Sequence, residues 1–143
     1  MPSDGATAAV DTISASRLPG LVPALRRRVV DLMAALHAQG HPVRLTQGRR
    51  TLADQQALWN QGRTTRGHIV TFCDGVRNVS KHQTGRAADF VWMTEDGISW
   101  QGPWGLLMET AESLGLRAGG RWPKGRTDRP HVELPDAIGD DEE

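Results

Sequence analysis

Two short stretches carry most of the chemistry that the sequence can offer. Ser80-Lys-His82-Gln-Thr-Gly85-Arg-Ala87-Ala-Asp89 sets an imidazole and a carboxylate seven residues apart. Gly85 lies between them, and glycine tolerates the backbone angles of a tight reversal, so one turn can bring both side chains to a point. Asp128-Arg-Pro130-His131 adds a second imidazole 42 residues after Asp89, with a further carboxylate three residues before it. Two histidines and an aspartate are three ligands for a zinc ion that keeps its fourth position open, and a spare acid can take a proton from water. The same residue types also build hydrogen-bonded His/Asp clusters with no metal, and the residues alone leave both readings open. Glu133 would share a strand face with His131 if that segment alternates, which makes it a rival acid to Asp128.

The elements that must position these groups can be read from periodicity. Val22, Leu25, Val29, Leu32/Met33 and Leu36 recur at three- and four-residue intervals, which predicts an amphipathic helix ending at Gly40. Val43-Arg-Leu45-Thr alternates as a short strand leading into a turn at Gly48-Arg-Arg50. Thr51-Leu-Ala-Asp54 reads as a capping box opening a helix that runs through Trp59 to Gly62. Arg63 to Gly67 is polar and predicts an exposed loop. Ile69–Phe72 and Ala87–Trp92 read as strands, Trp104 to Leu114 as a helix stopped by Gly115, and Leu116–Ala118 and His131–Leu134 as short strands. Helices and strands intersperse without a regular βαβ rhythm. The expected class is α+β, a small mainly antiparallel sheet flanked by about three helices.

At 143 residues the chain suits one domain. The expected division is a flexible N-terminal arm over 1–17, a domain over 18–135 and an acidic tail over 136–143. No apolar run approaches a membrane span, and Met1 to Gly20 has neither an apolar core nor a basic residue before Arg17, so neither membrane insertion nor a secretory signal is expected. Formal net charge is zero, with 17 basic and 17 acidic residues. Five of those acids fall in the last eight residues, leaving a mildly cationic body that reads as an ordinary solvated surface or as one suited to an anionic wall. Arg26-Arg27-Arg28 alone is no nucleic-acid stripe. Cys73 is the single cysteine, which excludes an internal disulfide, and it reads as a packed residue.

Gly48-Arg-Arg50-Thr51, Gln55, Leu58-Trp59, Gln61-Gly62-Arg63-Thr64, the stretch from Ser80 to Asp89, Gly115-Leu116-x-x-Gly119-Gly120-x-Trp122 and Asp128-x-Pro130-His131 follow one another between Thr46 and Leu134. Together they resemble the L-alanyl-D-glutamate peptidases, peptidoglycan-cutting endolysins related to the zinc D-alanyl-D-alanine carboxypeptidases. The resemblance implies the fold shared by hedgehog and D-alanyl-D-alanine peptidases, and Zn2+ held by His82, Asp89 and His131. It makes Asp128 the general base and Arg50 the catalytic cation, which leaves Glu133 either to orient a ligand histidine or to stand as an exposed strand residue. Arg49 stands where relatives usually carry an aromatic residue. The substrate-side candidates are Ser80, which can hydrogen-bond nearby backbone or substrate, Gln55, a cleft-side supporting residue or a polar residue of the helix surface, and Trp122, which can line the substrate groove. The substrate would be the peptidoglycan stem peptide, cut by a monomer made in the host cytoplasm. It would act in the periplasm once a holin-like membrane-permeabilising protein gives access. Two other readings stand beside this: a D-alanyl-D-alanine carboxypeptidase or dipeptidase, in which Glu is usual at the Asp128 position, and a catalytically silent zinc module that recognises wall or a protein, a role that the hedgehog signalling domain illustrates.

Overall fold

A computed structural model describes residues 9–142, and its first complete helix, α1 (Thr12–Arg17), falls inside the stretch expected to be a loose arm. Residues 1–8 of that stretch lie outside the described residues. Asp11 caps α1 by accepting the Ser14 N–H at 2.9 Å. What holds the helix down is polar. The buried Ser14 hydroxyl accepts the Leu45 N–H at 2.9 Å, Arg17 donates to the Leu45 carbonyl at 2.7 Å, and Asp11 pairs with Arg44 at 2.6 Å. Leu45 belongs to β1 (Val43–Gln47), an edge strand whose outward backbone groups need partners. Apolar periodicity cannot reveal a helix fastened in this way.

The expected apolar stripe becomes α2 (Pro23–Ala38), opened by Pro23 and followed by Gly40 in the left-handed region at φ +82°. The capping box at Thr51 and Asp54 forms as expected and opens α3 (Leu52–Asn60). A fourth helix, α4 (Trp104–Ser113), packs against α2. The remaining strands are β2 (Ala87–Thr94), β3 (Gly97–Ser99), β4 (Arg117–Ala118) and β5 (His131–Glu133). All pair antiparallel, in the order β1-β2-β5-β4, with β3 added beside β2. The core is closed by Leu25, Leu32 and Leu36 of α2, Leu107 of α4, and Leu45, Phe90 and Val132 of the sheet.

One expected strand is absent. Ile69–Phe72 is irregular, and Ile69, Val70 and Phe72 are each about half exposed, at 52%, 54% and 51%. Side chains reach it instead of a neighbouring strand: Arg63 donates to the Thr71 carbonyl, and Gln55 to the Thr71 hydroxyl and to the carbonyl of the following Cys73. Cys73 is accordingly half-buried in a loop, beside no strand.

Strand alternation gives β2 two unlike faces. Ala88, Phe90 and Trp92 point into the core; Ala87, Asp89 and Val91 take the other side. Cross-strand partners share a face, so the pairing of Asp89 with His131 and of Ala87 with Glu133 gathers the polar groups on that other side. Between Leu45 and Gln47 the β1–β2 register slips by one residue. This bulge turns Gln47 from the core side to face Asp89 and leads the chain into Gly48-Arg49-Arg50.

Candidate metal centre

His82 sits in the turn before β2. Gly85 closes that turn at φ +73°, and a Cβ there would lie 2.5 Å from the Gly20 carbonyl oxygen, so both the angle and the close approach require glycine. The Ser80 hydroxyl accepts the His82 backbone N–H at 3.2 Å. The His82 ring is 2% exposed, and its Nδ1 meets the Gly48 carbonyl at 2.9 Å. A carbonyl can only accept, so the ring proton stays on Nδ1 and Nε2 presents a lone pair. On β5, His131 Nε2 meets Glu133 Oε1 at 2.9 Å, which places its proton on Nε2 and leaves Nδ1 bare in the neutral ring. The sequence expectation that Glu133 orients a ligand histidine corresponds to this contact.

The two bare nitrogens and Asp89 Oδ1 form a near-equilateral triangle. His82 Nε2 to His131 Nδ1 is 3.3 Å, His82 Nε2 to Oδ1 is 3.4 Å and His131 Nδ1 to Oδ1 is 3.2 Å. Corners of a tetrahedron with bonds of about 2.0–2.1 Å lie about 3.3–3.4 Å apart. The three residues therefore could hold a metal ion without rearrangement, and their lone pairs repel one another unless a cation or a proton lies among them. In the metal-free protein, burial pushes the His131 pKa down, but hydrogen bonds to Asp89 and Glu133 outweigh it and raise the pKa to about 9. Burial likewise works to raise the Asp89 pKa, and the hydrogen bonds from His131 and His82 overcome it, holding the carboxyl well below the usual range.

Asp128 stands on the ligand side of His131, its Oδ2 3.9 Å from Nδ1, while Glu133 holds the far nitrogen. Its side chain is 47% exposed and its pKa is raised, first by burial and then by the charge of Asp89. Gly119 makes this placement possible: its carbonyl accepts the Asp128 N–H at 2.9 Å, and a Cβ on it would come within 2.4 Å of the Asp128 carbonyl. Trp122 leans on His131, ring centres 4.8 Å apart, and walls the site. Beside Asp128 opens a groove of about 410 Å³ lined by Trp100, Trp104, Thr127, Asp128, Arg129 and Pro130.

Arg50, and not the exposed Arg49, faces the site. Its guanidinium lies 3.6 Å from Asp89 and donates to Gln47 at 2.5 Å and Gln55 at 3.0 Å. Gln55 supports the site through Arg50 and presents neither polar atom of its side chain to the cleft. Gln55 is 0% exposed, with its oxygen on Arg50 and its nitrogen on Thr71 and Cys73, so it braces Arg50 from behind. Ser80 similarly commits its hydroxyl to the His82 turn. Gln47, the Gly48 carbonyl and Lys81, whose Nζ lies 3.2 Å from Glu133, belong to the surroundings of the site but left no sequence signal. Gln47 depends on a bulge and Lys81 on a contact 52 residues away in the chain.

Two ligand-type side chains on one face of a small antiparallel sheet and a third on the adjoining turn, with a free acid beside them, stand in a fold shared with solved peptidases. The L-Ala D-Glu endopeptidase ChiX of Serratia marcescens superposes with a TM-score of 0.64 over 87% of each chain, at 24% identity. The L,D-carboxypeptidase DacB of Streptococcus pneumoniae superposes at 0.61, covering 82% of this chain and 67% of that one, at 22% identity. The sequence model of the peptidase M15 family described as D-alanyl-D-alanine carboxypeptidase matches residues 74–134, which contain all three ligand-type residues. The peptidoglycan L-alanyl-D-glutamate endopeptidase CwlK of Bacillus subtilis is 34% identical over 125 residues, 80% of this chain and 73% of CwlK. The chain belongs to the M15 peptidase family.

Proposed function

We propose that this protein is a zinc-dependent endopeptidase that hydrolyses the L-alanyl–D-glutamate bond of the peptidoglycan stem peptide. The observation that carries the metal reading is the triangle of 3.2–3.4 Å edges formed by His82, Asp89 and His131. The choice of bond is supported by the likeness to CwlK, with which the chain shares 34% identity. Zinc held by the three residues would supply Lewis acidity toward the scissile carbonyl and toward water.

Asp128 accepts the proton of the attacking water at its carboxylate and returns it to the leaving amine, a role suited to an acid whose pKa is raised by burial and by the charge of Asp89. Arg50, fixed by Gln47, Gln55 and Asp89, offers positive charge to the oxygen on which negative charge develops, and needs no reorganisation to do so. Glu133 keeps His131 in the tautomer that presents Nδ1. Trp122 and the groove beside Asp128 supply walls for the peptide.

The reading extends to a monomeric phage endolysin that lyses cells once a membrane-permeabilising protein admits it to the wall. The family resemblance supports this extension, and no helix among the described residues is long and apolar enough to cross a membrane. A carboxypeptidase reading is favoured by the description of the matching family model, and opposed by Asp at position 128.

Digestion of purified peptidoglycan with and without a chelator, with products identified by mass spectrometry, decides among these. New N-terminal D-glutamate that disappears with chelation and returns with zinc is the expected result. Release of free D-alanine would make the protein a carboxypeptidase. Zinc binding with no product would make it a silent recognition module.

A further inference from the structure

The acidic segment 136–142 folds back onto the domain. The Asp140 carbonyl accepts the Ala24 N–H at 2.7 Å, in the first turn of α2, where amides lack helical partners. Arg27 donates to the carbonyls of Asp141 and Glu142 at 3.0 and 2.8 Å, and Arg28 to that of Glu142 at 3.1 Å. Ile138 packs against the core.

The remaining contacts of this segment converge on the turn that carries His82. Lys81 Nζ lies 3.0 Å from Asp136, and Arg86 pairs with Asp140 while donating to the carbonyls of Pro135 and Ile138 at 2.8 and 2.7 Å. Lys81 and Arg86 thus bracket the turn. Lys81 also reaches Glu133 at 3.2 Å and the Leu134 carbonyl at 2.8 Å, and Glu133 in turn holds His131 at 2.9 Å. One surface segment is therefore tied to the His82 turn directly and to His131 through Lys81 and Glu133.

We propose that residues 136–142 form a clasp that positions His82 and His131 for metal, with Lys81 and Arg86 as its positioning residues. The inference rests on the reading of His82, Asp89 and His131 as zinc ligands. A released turn samples orientations in which His82 Nε2 leaves the triangle, and the ion must then restore that order on binding. Loss of such outer contacts weakens metal binding by about 10–100-fold.

The test is zinc affinity of the full chain by chelator competition, alongside the melting temperature of the metal-free protein. Lys81→Met, and the pair Asp136→Asn with Asp140→Asn, should each bind zinc about 10–100-fold more weakly. Lys81→Arg should recover part of the loss. Asp141→Asn with Glu142→Gln removes the same charge but leaves the contacts through backbone carbonyls, and should bind as the parent does. Unchanged affinity in the folded Asp136/Asp140 variant, or equal weakening in the Asp141/Glu142 control, overturns the clasp while leaving the zinc reading intact. Failure of the parent protein to bind zinc overturns both.

Discussion

The two faces of the β2–β5 ladder are built from alternate residues of the same strands, and they make opposite demands. On one face Ala88, Phe90 and Val132 are fully buried among apolar neighbours, and any side chain of the right volume would serve. On the other face His131 and Glu133 are nearly as buried and Asp89 is partly so, yet each polar atom has an assigned partner or faces the ligand triangle. The apolar face contributes stability that does not depend on charge. The polar face holds three acceptor atoms together against their mutual repulsion, which a folded chain tolerates only when something positive fills the gap. A change on one face should therefore disturb folding and a change on the other should disturb metal and turnover, although the residues are sequence neighbours.

The largest separation of the two should come from His82→Ala. Removing one corner of the triangle should abolish stoichiometric zinc and reduce peptidoglycan cleavage to background, with the far-ultraviolet dichroism of the metal-free protein retained. Full zinc occupancy in that variant would falsify the ligand set. Asp128→Asn should divide the polar face itself. Zinc stays bound, because Asp128 is not a corner of the triangle, and kcat falls by about 100- to 10,000-fold. Full turnover in the amide variant would transfer the base to Glu133.

The features that could be read from sequence share a property: each is a local pattern. The stripe of α2, the capping box of α3 and the alternation of β2 repeat within one element, and His82 and Asp89 are close in the chain. What could not be read depends on partners remote in sequence. Helix α1 is pinned by Ser14 and Arg17 to Leu45, about thirty residues away, with no apolar period to betray it. Gln47 faces the site only because one extra residue enters β1, and a bulge leaves no mark in composition. Gln55 sits on a helix whose other residues are largely exposed, so its burial behind Arg50 has no pattern to announce it. Ile69–Phe72 erred in the other direction. Its apolar β-branched residues look like a strand, but the segment pairs with none of the named strands, and Arg63 takes its Thr71 carbonyl.

Phe90→Ala tests the apolar face. A fully buried aromatic ring truncated to a methyl group costs about 3–5 kcal/mol, and in a domain of this size should lower Tm on the order of 10 °C. Zinc stoichiometry and kcat measured well below that Tm should be close to the parent's. A folded Phe90→Ala protein that fails to bind zinc would show that the two faces are not separable, and that the triangle depends on packing beneath it.

The smallest effect sharpens the contrast most, because it uses pH to act on one face alone. In the metal-free protein the His131 pKa is raised to about 9, as the hydrogen bonds to Asp89 and Glu133 outweigh burial. A free imidazole titrates near about 6.5. A proton bound more tightly in the folded state stabilises that state, fully below pH of about 6.5 and progressively less as pH rises through about 9. Between these limits the Tm of the metal-free protein should fall, by an amount corresponding to a few kcal/mol at most. The zinc-loaded protein should show a flatter profile, since the ion stands where the proton did and binding releases that proton. Phe90→Ala should displace the metal-free curve downward without changing its shape, because nothing on the apolar face titrates. A metal-free Tm that stays level from pH 6.5 to 9 would mean that His131 holds no such proton, and that the three acceptors are kept together by packing alone.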